Sequence, residues 1–336
     1  MSKTTTYAQR LAVAVSFLFC AMHATAQMPD LKPLPTEKNK VEIPVPKDPN
    51  NFTFVVAGDN RPATRGPAQP KALSTVIDCV KNLRPDFVLW TGDTIYGKNA
   101  TDPDEIRAEY AEFLKIAALG TVPVFNAPGN HELDDKDNNP SPQMLQLYTE
   151  NMSGAWGAFS YGNSHFIALN SENNPPKGNP AAAALAAKKE APGYITPDQL
   201  QALDADLANN KNMAHIFIFM HHPVKPAKKE DGLVKESVEA LKAVFKKYKN
   251  VSTVSYVLSG HEHMYYNPQH PKNITKAPGR TDPSWPPTYL VSGGAGAPLK
   301  KLPGGFYHYL VFTVTGNQIA VTLNRLDKPT GPCPAQ

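Results

Sequence analysis

The sequence lacks a long apolar run and has little net charge. Its N-terminal apolar run, residues 11–19, is far shorter than the roughly 20 residues that a membrane-spanning helix needs, and no comparable run follows. Charged residues make up 19% of the chain and hydrophobic residues 41%, which indicates a folded protein and excludes a disordered one. The formal net charge of +4 gives no sign of nucleic-acid binding. We expect a globular protein without a membrane span or a nucleic-acid partner, and its oligomeric state stays open.

The N-terminus has the pattern of a secretory signal peptide. Lys3 and Arg10 precede the apolar run from Leu11 to Phe19, and small residues ending at Ala26 follow it. We predict cleavage after Ala26. Residues 1–26 would then be absent from a mature protein that is secreted or periplasmic.

Cysteine is scarce, with three residues in the whole chain. Only Cys79 and Cys333 follow the predicted cleavage site. An exported protein permits a disulfide between them, which would tether the C-terminal tail, but spacing alone does not show that their geometry suits it. A disulfide and two separate thiols both remain open.

The remaining chain divides into a leader, a domain and a tail. Residues 27–50 are rich in proline without apolar periodicity, which predicts an extended leader, with order beginning near Phe52. Downstream, short apolar runs typical of buried strands alternate with stretches of helical spacing, which predicts one layered α/β domain over residues 51–327 and a tail over 328–336. The segment 171–192 reads as a surface insertion, with a short helix at 181–189.

The predicted elements are as follows. Strands are expected at 52–57, 87–90, 122–125, 166–169, 216–220, 254–258, 289–292, 309–314 and 319–323. Helices are expected at 68–83, 104–118, 196–207 and 234–248, the third with an N-cap at Thr196 and a first-turn Pro197.

Polar clusters directly follow five of the predicted strands. Because the carboxyl ends of strands in a layered α/β fold open onto a common crevice, we expect these side chains to converge. The glycines in the clusters permit tight turns close to a ligand. The clusters are Gly58-Asp59-Asn60-Arg61, Gly92-Asp93-Thr94-Ile95-Tyr96, Gly129-Asn130-His131-Glu132, His221-His222-Pro223 and Gly260-His261-Glu262-His263.

The chemistry of these clusters is that of a metal site. Carboxylates and a side-chain amide suit hard cations, and imidazoles suit zinc, iron and manganese, so the mixed set favours transition metals. Taken singly, each cluster is compatible with an ordinary turn or strand end. Five complementary clusters at equivalent positions together predict a metal centre.

The ordered set of clusters resembles that of the calcineurin-like metallophosphoesterase superfamily between Phe54 and His263. The spacing from Asp93 to Tyr96 is similar to that in purple acid phosphatases, where a tyrosine three residues after the aspartate binds ferric iron. The resemblance implies an α/β fold, a four-layer αββα sandwich of two mixed β-sheets flanked by helices. It also implies two transition-metal ions, iron paired with iron, manganese or zinc.

The resemblance also assigns ligands by position. Asp93 is expected to bridge both metal ions. The residues expected to complete the coordination of the first ion are Asp59, Tyr96 and His263. The residues expected to complete the coordination of the second ion are Asn130, His221 and His261. His131 is expected to be the general acid that protonates the leaving oxygen as an imidazolium.

One position departs from the family pattern. Most superfamily members have histidine two residues after the first aspartate, and purple acid phosphatases have glycine, whereas this chain has Arg61. Arginine cannot coordinate a cation, but its guanidinium can bind phosphate oxygens. An orientation towards a loop carbonyl is the alternative. Arg61 and His222 are the residues predicted to bind the substrate.

Taken together, these features predict a secreted dinuclear-metal phosphoesterase that hydrolyses small phosphate monoesters by attack of a metal-bound hydroxide. A phosphodiesterase or nucleotide pyrophosphatase with the same ligand set is the alternative. A third possibility, from another class, is a secreted binding protein that has lost catalysis, of which Arg61 would be the first sign.

Overall fold

The computed structural model describes residues 27–35, 42–176, 192–249, 254–270 and 287–334. These residues form two β-sheets with helices on their outer faces. The strands are β1 (Asn51–Ala57), β2 (Phe87–Trp90), β3 (Val124–Asn126), β4 (Gly157–Tyr161), β5 (Ser164–Ala168), β6 (His215–Phe219), β7 (Val254–Ser259), β8 (Tyr265–Tyr266), β9 (Thr288–Ser292), β10 (Tyr307–Thr315) and β11 (Gln318–Leu326). The helices are α1 (Lys71–Leu83), α2 (Pro103–Ala117), α3 (Asn130–Leu133), α4 (Pro142–Asn151), α5 (Pro197–Asn209) and α6 (Lys235–Tyr248).

Both sheets are mixed. The first has the order β11-β10-β1-β2-β3 and the second the order β4-β5-β6-β7-β9-β8. Strands β1, β2 and β3 run parallel, and β10 joins β1 antiparallel. Strands β5, β6, β7 and β9 run parallel, and β4 and β8 lie antiparallel at the two edges. The parallel strands of each sheet therefore end along a common edge, where their loops meet.

The alternation of side chains along β1 separates the two faces of the first sheet. Phe52, Phe54 and Val56 belong to the core between the sheets, whereas Val55 and Ala57 belong to the core beneath the helices. The core between the sheets is aromatic. The rings of Phe54 and Phe217 in it, one from each sheet, have centroids 5.0 Å apart in an edge-on arrangement.

The helices cover the outer faces. Helices α1, α2 and α4 pack on the first sheet, and α5 and α6 pack on the second. The four-layer αββα arrangement implied by the resemblance, and the α/β class predicted from the alternation of strands and helices, are both confirmed. None of the helices in the described part of the chain combines the length and the apolar character that crossing a bilayer requires.

The predicted strands and helices are present in the described ranges, with ends shifted by a few residues. The helix expected from residue 68 begins at Lys71, directly after Pro70 in an extended conformation. The sequence interpretation missed β4, β8, α3 and α4. Helix α4 does carry a start signal, because Ser141 caps the amide of Met144 at 3.4 Å and Pro142 follows. The helix predicted at 181–189 lies outside the described residues.

The leader packs against the sheets. Met28, Leu31 and Leu34 are buried. The amide of Leu31 donates to the carbonyl of Ala158 at 2.9 Å, and the amide of Ala158 donates to the carbonyl of Pro29 at 2.9 Å, so the leader extends the second sheet beyond β4. The expectation that order begins near Phe52 was wrong: Met28, Leu31 and Leu34 are buried at every third position, which is the period of a polyproline II chain.

Cys79 in α1 and Cys333 in the tail form a disulfide, with Cα atoms 5.3 Å apart. The hydroxyl of Thr75 also donates to the carbonyl of Pro329 at 2.8 Å. The sequence left a disulfide and two separate thiols open, and the structure has the disulfide. The tail therefore lies against α1.

We expect the substitution Cys333→Ser to lower the free energy of unfolding by about 2–5 kcal/mol, because the disulfide closes a long loop and restricts the unfolded chain. Urea denaturation of the variant and of the wild type measures the difference. Reduction of the wild type should reproduce the loss and leave the variant unchanged. Identical unfolding curves for wild type and variant would contradict the disulfide.

Candidate metal centre

Loops that leave the carboxyl ends of β1, β2, β3, β7 and β9 line a cavity of about 190 Å³ at one end of the two sheets. All of them except the loop after β9 carry polar clusters that the sequence pointed to, and the fifth such cluster, after β6, lies beside the cavity. The residues lining the cavity are Arg61, Asp93, Asn130, His131, His261, His263, Pro298 and Lys300. Asp59 and His221 lie beside it, fully buried. Among the expected ligands, only Tyr96 has no contact with another of them within the described residues.

Four of the predicted ligands have left-handed backbone conformations. The φ angles are 57° at Asp59, 54° at Asp93, 71° at His261 and 47° at His263. Non-glycine residues adopt this region uncommonly, and such strain clusters at functional sites where the surrounding structure enforces it. The loops are therefore shaped to aim these side chains inward.

Gly129 and Gly260 are required by close approach of their backbone to the ligands. A Cβ atom on Gly129 would lie 2.4 Å from Oδ1 of Asp93, and one on Gly260 would lie 2.3 Å from Oδ2 of Asp59. Any larger residue at either position would displace a carboxylate. The sequence interpretation named both close approach and permissive dihedral angles, and Gly92, with a φ of 86°, is the cluster glycine that needs the second.

The two carboxylate oxygens of Asp93 face different histidines. Its Oδ1 lies 3.2 Å from Nε2 of His221, and its Oδ2 lies 3.8 Å from Nε2 of His263. Asp59 belongs to the second of these groups, with Oδ1 3.6 Å from Nε2 of His263. Asp93 thus stands between two sets of donors, in the place that a bridging ligand needs.

Both of these histidines donate a hydrogen bond from their other ring nitrogen, Nδ1, to a main-chain carbonyl. Nδ1 of His221 donates to the carbonyl of Thr91 at 2.7 Å, and Nδ1 of His263 donates to the carbonyl of Pro298 at 2.8 Å. Such bonds fix the orientation and tautomer of metal-binding histidines. Nε2 of each ring is the atom left for a cation.

The surroundings of His221 fit a metal ion. Its Nε2 lies 3.1 Å from Oδ1 of Asn130, 3.1 Å from Nδ1 of His261 and 3.2 Å from the nearer oxygen of Asp93. All of these atoms can offer lone pairs, and one proton on Nε2 could satisfy only one of the contacts, whereas a metal ion could accept lone pairs from all of them. Ligand atoms of Asp59, Asp93 and His221 also come within 4.8 Å of one another. A mixed set of carboxylate, amide and imidazole donors suits a transition metal.

The two buried carboxylates also need compensating positive charge. Burial and the neighbouring Asp93 raise the pKa of Asp59 well above its usual range. Burial would raise the pKa of Asp93 as well, but its contacts with the neighbouring histidines and the guanidinium of Arg61 hold it well below that range. Two carboxylates this close cannot both ionise in a buried site without compensating positive charge. Bound metal ions would supply that charge.

Glu132 has a structural role that the sequence interpretation did not assign to it. Its carboxylate accepts hydrogen bonds from the amides of Asp93 at 2.9 Å and Gly129 at 2.7 Å, and from the hydroxyl of Thr94 at 2.6 Å. It thereby joins the loops that follow β2 and β3. The available signal was its position as the third residue of a helical turn that begins after glycine, where an acidic side chain caps free amides.

Arg61 lies in the cavity. Its Nε is 3.5 Å from Oδ2 of Asp93, and its Nη1 donates to the carbonyl of Pro62 at 3.2 Å. Both orientations considered from the sequence are therefore partly realised. The guanidinium is anchored at one side by a loop carbonyl and faces the candidate metal ligands at the other.

His131 lines the cavity, as expected for a residue near the substrate. Its amide donates to Oδ1 of Asp93 at 3.2 Å, and its Nδ1 donates to the carbonyl of Tyr96. Burial lowers the pKa of His131 to about 3, against an opposing effect of Asp93. The imidazole is therefore neutral at neutral pH in this structure, whereas the sequence interpretation expected an imidazolium.

Two expected site residues lie away from the cavity. His222 is fully buried, its Nδ1 is 2.7 Å from Oε1 of Glu172, and its ring centroid is 4.0 Å from that of His261. His222 therefore packs behind His261 and makes no contact with the cavity within the described residues. The ring of Tyr96 packs edge-on against His131 beneath the guanidinium of Arg65, and Tyr96 is not among the described residues that line the cavity. Coordination by Tyr96 stays a prediction that this geometry does not support.

Comparison with known proteins gives one family match. The family model described as calcineurin-like phosphoesterase matches residues 52–265. Among solved structures, the purple acid phosphatase PPD1 from yellow lupin (Lupinus luteus) seeds is similar over 84% of this chain and 53% of its own, with a TM-score of 0.57 and 18% identity. This chain spans about half the length of that enzyme.

Two further structures are similar. A dimetal phosphatase from Danio rerio is similar over 82% of this chain and 96% of its own, with a TM-score of 0.57 and 16% identity. GAP50, the anchor in the inner membrane complex of Plasmodium, is similar over 83% and 86%, with a TM-score of 0.51 and 14% identity. At these identities the likeness concerns the fold, which carries both phosphatases and an anchor.

We expect Asp93→Asn to lose most of the bound metal, because the substitution removes the charge that both donor sets share. Tyr96→Phe is the matched control and should keep the metal content of the wild type. Elemental analysis of protein purified without chelator measures both, with circular dichroism to verify folding. Full metal content in Asp93→Asn would contradict a bridging role. A visible charge-transfer band that disappears in Tyr96→Phe would show that Tyr96 binds ferric iron.

Proposed function

We propose that this chain, which belongs to the calcineurin-like phosphoesterase family, hydrolyses phosphate monoesters at the candidate metal centre. The observation that carries the proposal is the position of Asp93, whose two oxygens face His221 and His263 separately. A cavity of about 190 Å³ has room for a phosphoryl group beside these residues.

The residues present fit two metal ions. Asp59, Asp93 and His263 would hold one, and Asn130, His221 and His261 would join Asp93 in holding the other. Metal ions bound there would acidify a water molecule as the nucleophile and neutralise charge on the phosphoryl oxygens. We propose iron, with iron, manganese or zinc as its partner.

Arg61 and His131 supply the remaining chemistry. The guanidinium of Arg61 would donate to a phosphoryl oxygen from its place beside Asp93. Because Nδ1 of His131 is engaged by the carbonyl of Tyr96, Nε2 is the atom that would carry a proton to the leaving oxygen. Burial lowers the pKa of His131 to about 3, so the ring would gain this proton only when a negatively charged substrate enters and raises the pKa.

We propose further that the protein is exported. The pattern of residues 1–26 and the disulfide between Cys79 and Cys333 both support this. The division into a leader at 27–50, a domain at 51–327 and a tail at 328–336 stays a prediction. N-terminal sequencing of exported protein should begin at Gln27, and an N-terminus at Met1 would refute the signal peptide.

Turnover of p-nitrophenyl phosphate and of bis-p-nitrophenyl phosphate, with iron, manganese or zinc added, tests the proposed activity. We expect hydrolysis of the monoester with a higher kcat/KM than that of the diester. A preference for the diester would establish the alternative phosphodiesterase. Absence of turnover for both, with metal bound, would favour a binding protein.

We expect His131→Ala to reduce kcat for phenyl phosphate by roughly 100-fold or more, since general acid catalysis contributes about that much when the leaving group is poor. The loss for p-nitrophenyl phosphate should be smaller, because its leaving group needs no proton. Metal content should match that of the wild type. Equal losses for both substrates would exclude the role as acid.

A further inference from the structure

Lys300 lines the cavity, although no motif in the sequence pointed to it. Its amide donates to the carbonyl of His263 at 3.2 Å. Pro298, two residues earlier, accepts the Nδ1 proton of His263 at 2.8 Å. The loop after β9 is therefore fixed to a candidate metal ligand, and this holds Lys300 at the cavity.

Asp231 holds the side chain of Lys300 in place, with Oδ2 3.3 Å from Nζ. The loop that carries Asp231 is itself fixed, because the carboxylate of Glu262 accepts the amides of Ala227 and Lys228, each at 2.8 Å. The Lys300 side chain is 31% exposed. An ion pair that is partly exposed contributes little stability, and an ammonium has three donors, so Lys300 can bind an anion while Asp231 orients it.

Arg61 is the other cationic side chain among the described residues that line the cavity. Its Nε is buried and lies 3.5 Å from Oδ2 of Asp93, but it makes no hydrogen bond among the described residues. A phosphate monoester is a dianion above its second pKa of about 6, whereas a diester is a monoanion. Two fixed cations in a small cavity attract the dianion more strongly, because the Coulomb energy grows with the charge.

We propose that Lys300 is a specificity-determining residue that selects the dianionic phosphate of a monoester over the monoanionic phosphate of a diester. The inference rests on the proposed function, because it concerns the same cavity. The ammonium of Lys300, oriented by Asp231, donates a hydrogen bond to a charged phosphoryl oxygen of the monoester. In a diester an uncharged ester oxygen takes the place of that oxygen.

The substitution Lys300→Met, which keeps the length of the side chain and removes its charge, tests the proposal. We expect kcat/KM for p-nitrophenyl phosphate to fall about 10-fold, as for the loss of one charged hydrogen bond, and that for bis-p-nitrophenyl phosphate to change far less. The matched control is Lys301→Met, which removes an exposed neighbouring charge and should leave both values unchanged. Lys300→Arg should restore part of the preference.

Binding of inorganic phosphate, measured by calorimetry on the purified proteins, separates this inference from the proposed function. We expect weaker phosphate binding in Lys300→Met than in Lys301→Met, even if the wild type hydrolyses neither ester. An inactive wild type would refute the proposed activity while leaving the role of Lys300 measurable. Equal phosphate binding by the two variants, or equal loss for monoester and diester, would overturn the role of Lys300.

Discussion

The burial of Asp59 and Asp93 side by side is the constraint on which the rest of the site depends. Both side chains are almost completely buried, so their negative charge must be balanced by groups close to them. Imidazoles bound through Nδ1 to main-chain carbonyls turn their free nitrogens towards the acids. An arrangement of this kind lowers stability without cations, and metal ions bound at the candidate centre would restore it.

The two sheets hold the strained loops of the site in place. Left-handed backbone at the ligands and close contacts at the glycines persist because each loop is anchored to the end of a buried strand. The aromatic core between the sheets sets their spacing, and Glu132 joins the loops after β2 and β3 through several buried hydrogen bonds. Rigidity at the strand ends is what lets residues far apart in sequence share one cavity.

The sequence predicted the strands and the polar clusters after them because both are local: an apolar run marks a strand, and the residues that follow it must lie at its end. It could not place Tyr96 or His222, whose orientations depend on Arg65 and Glu172 in other loops. Lys300 had no local signal, because its position depends on hydrogen bonds to His263. The single turn of α3 and the short β8 are too brief to show periodicity.

Arg61 changes the balance between the two donor sets. With Tyr96 outside the cavity, Asp59, Asp93 and His263 form a set of three, whereas Asp93, Asn130, His221 and His261 form a set of four. A set of three protein ligands is typical of catalytic sites, which keep a position open. In place of a further neutral ligand, Arg61 adds a permanent positive charge beside Asp93, at 3.5 Å from its Oδ2. With metal ions bound as proposed, the site would have one protein ligand fewer at one ion and a stronger attraction for an anion, and a phosphoryl group would encounter this attraction on entering.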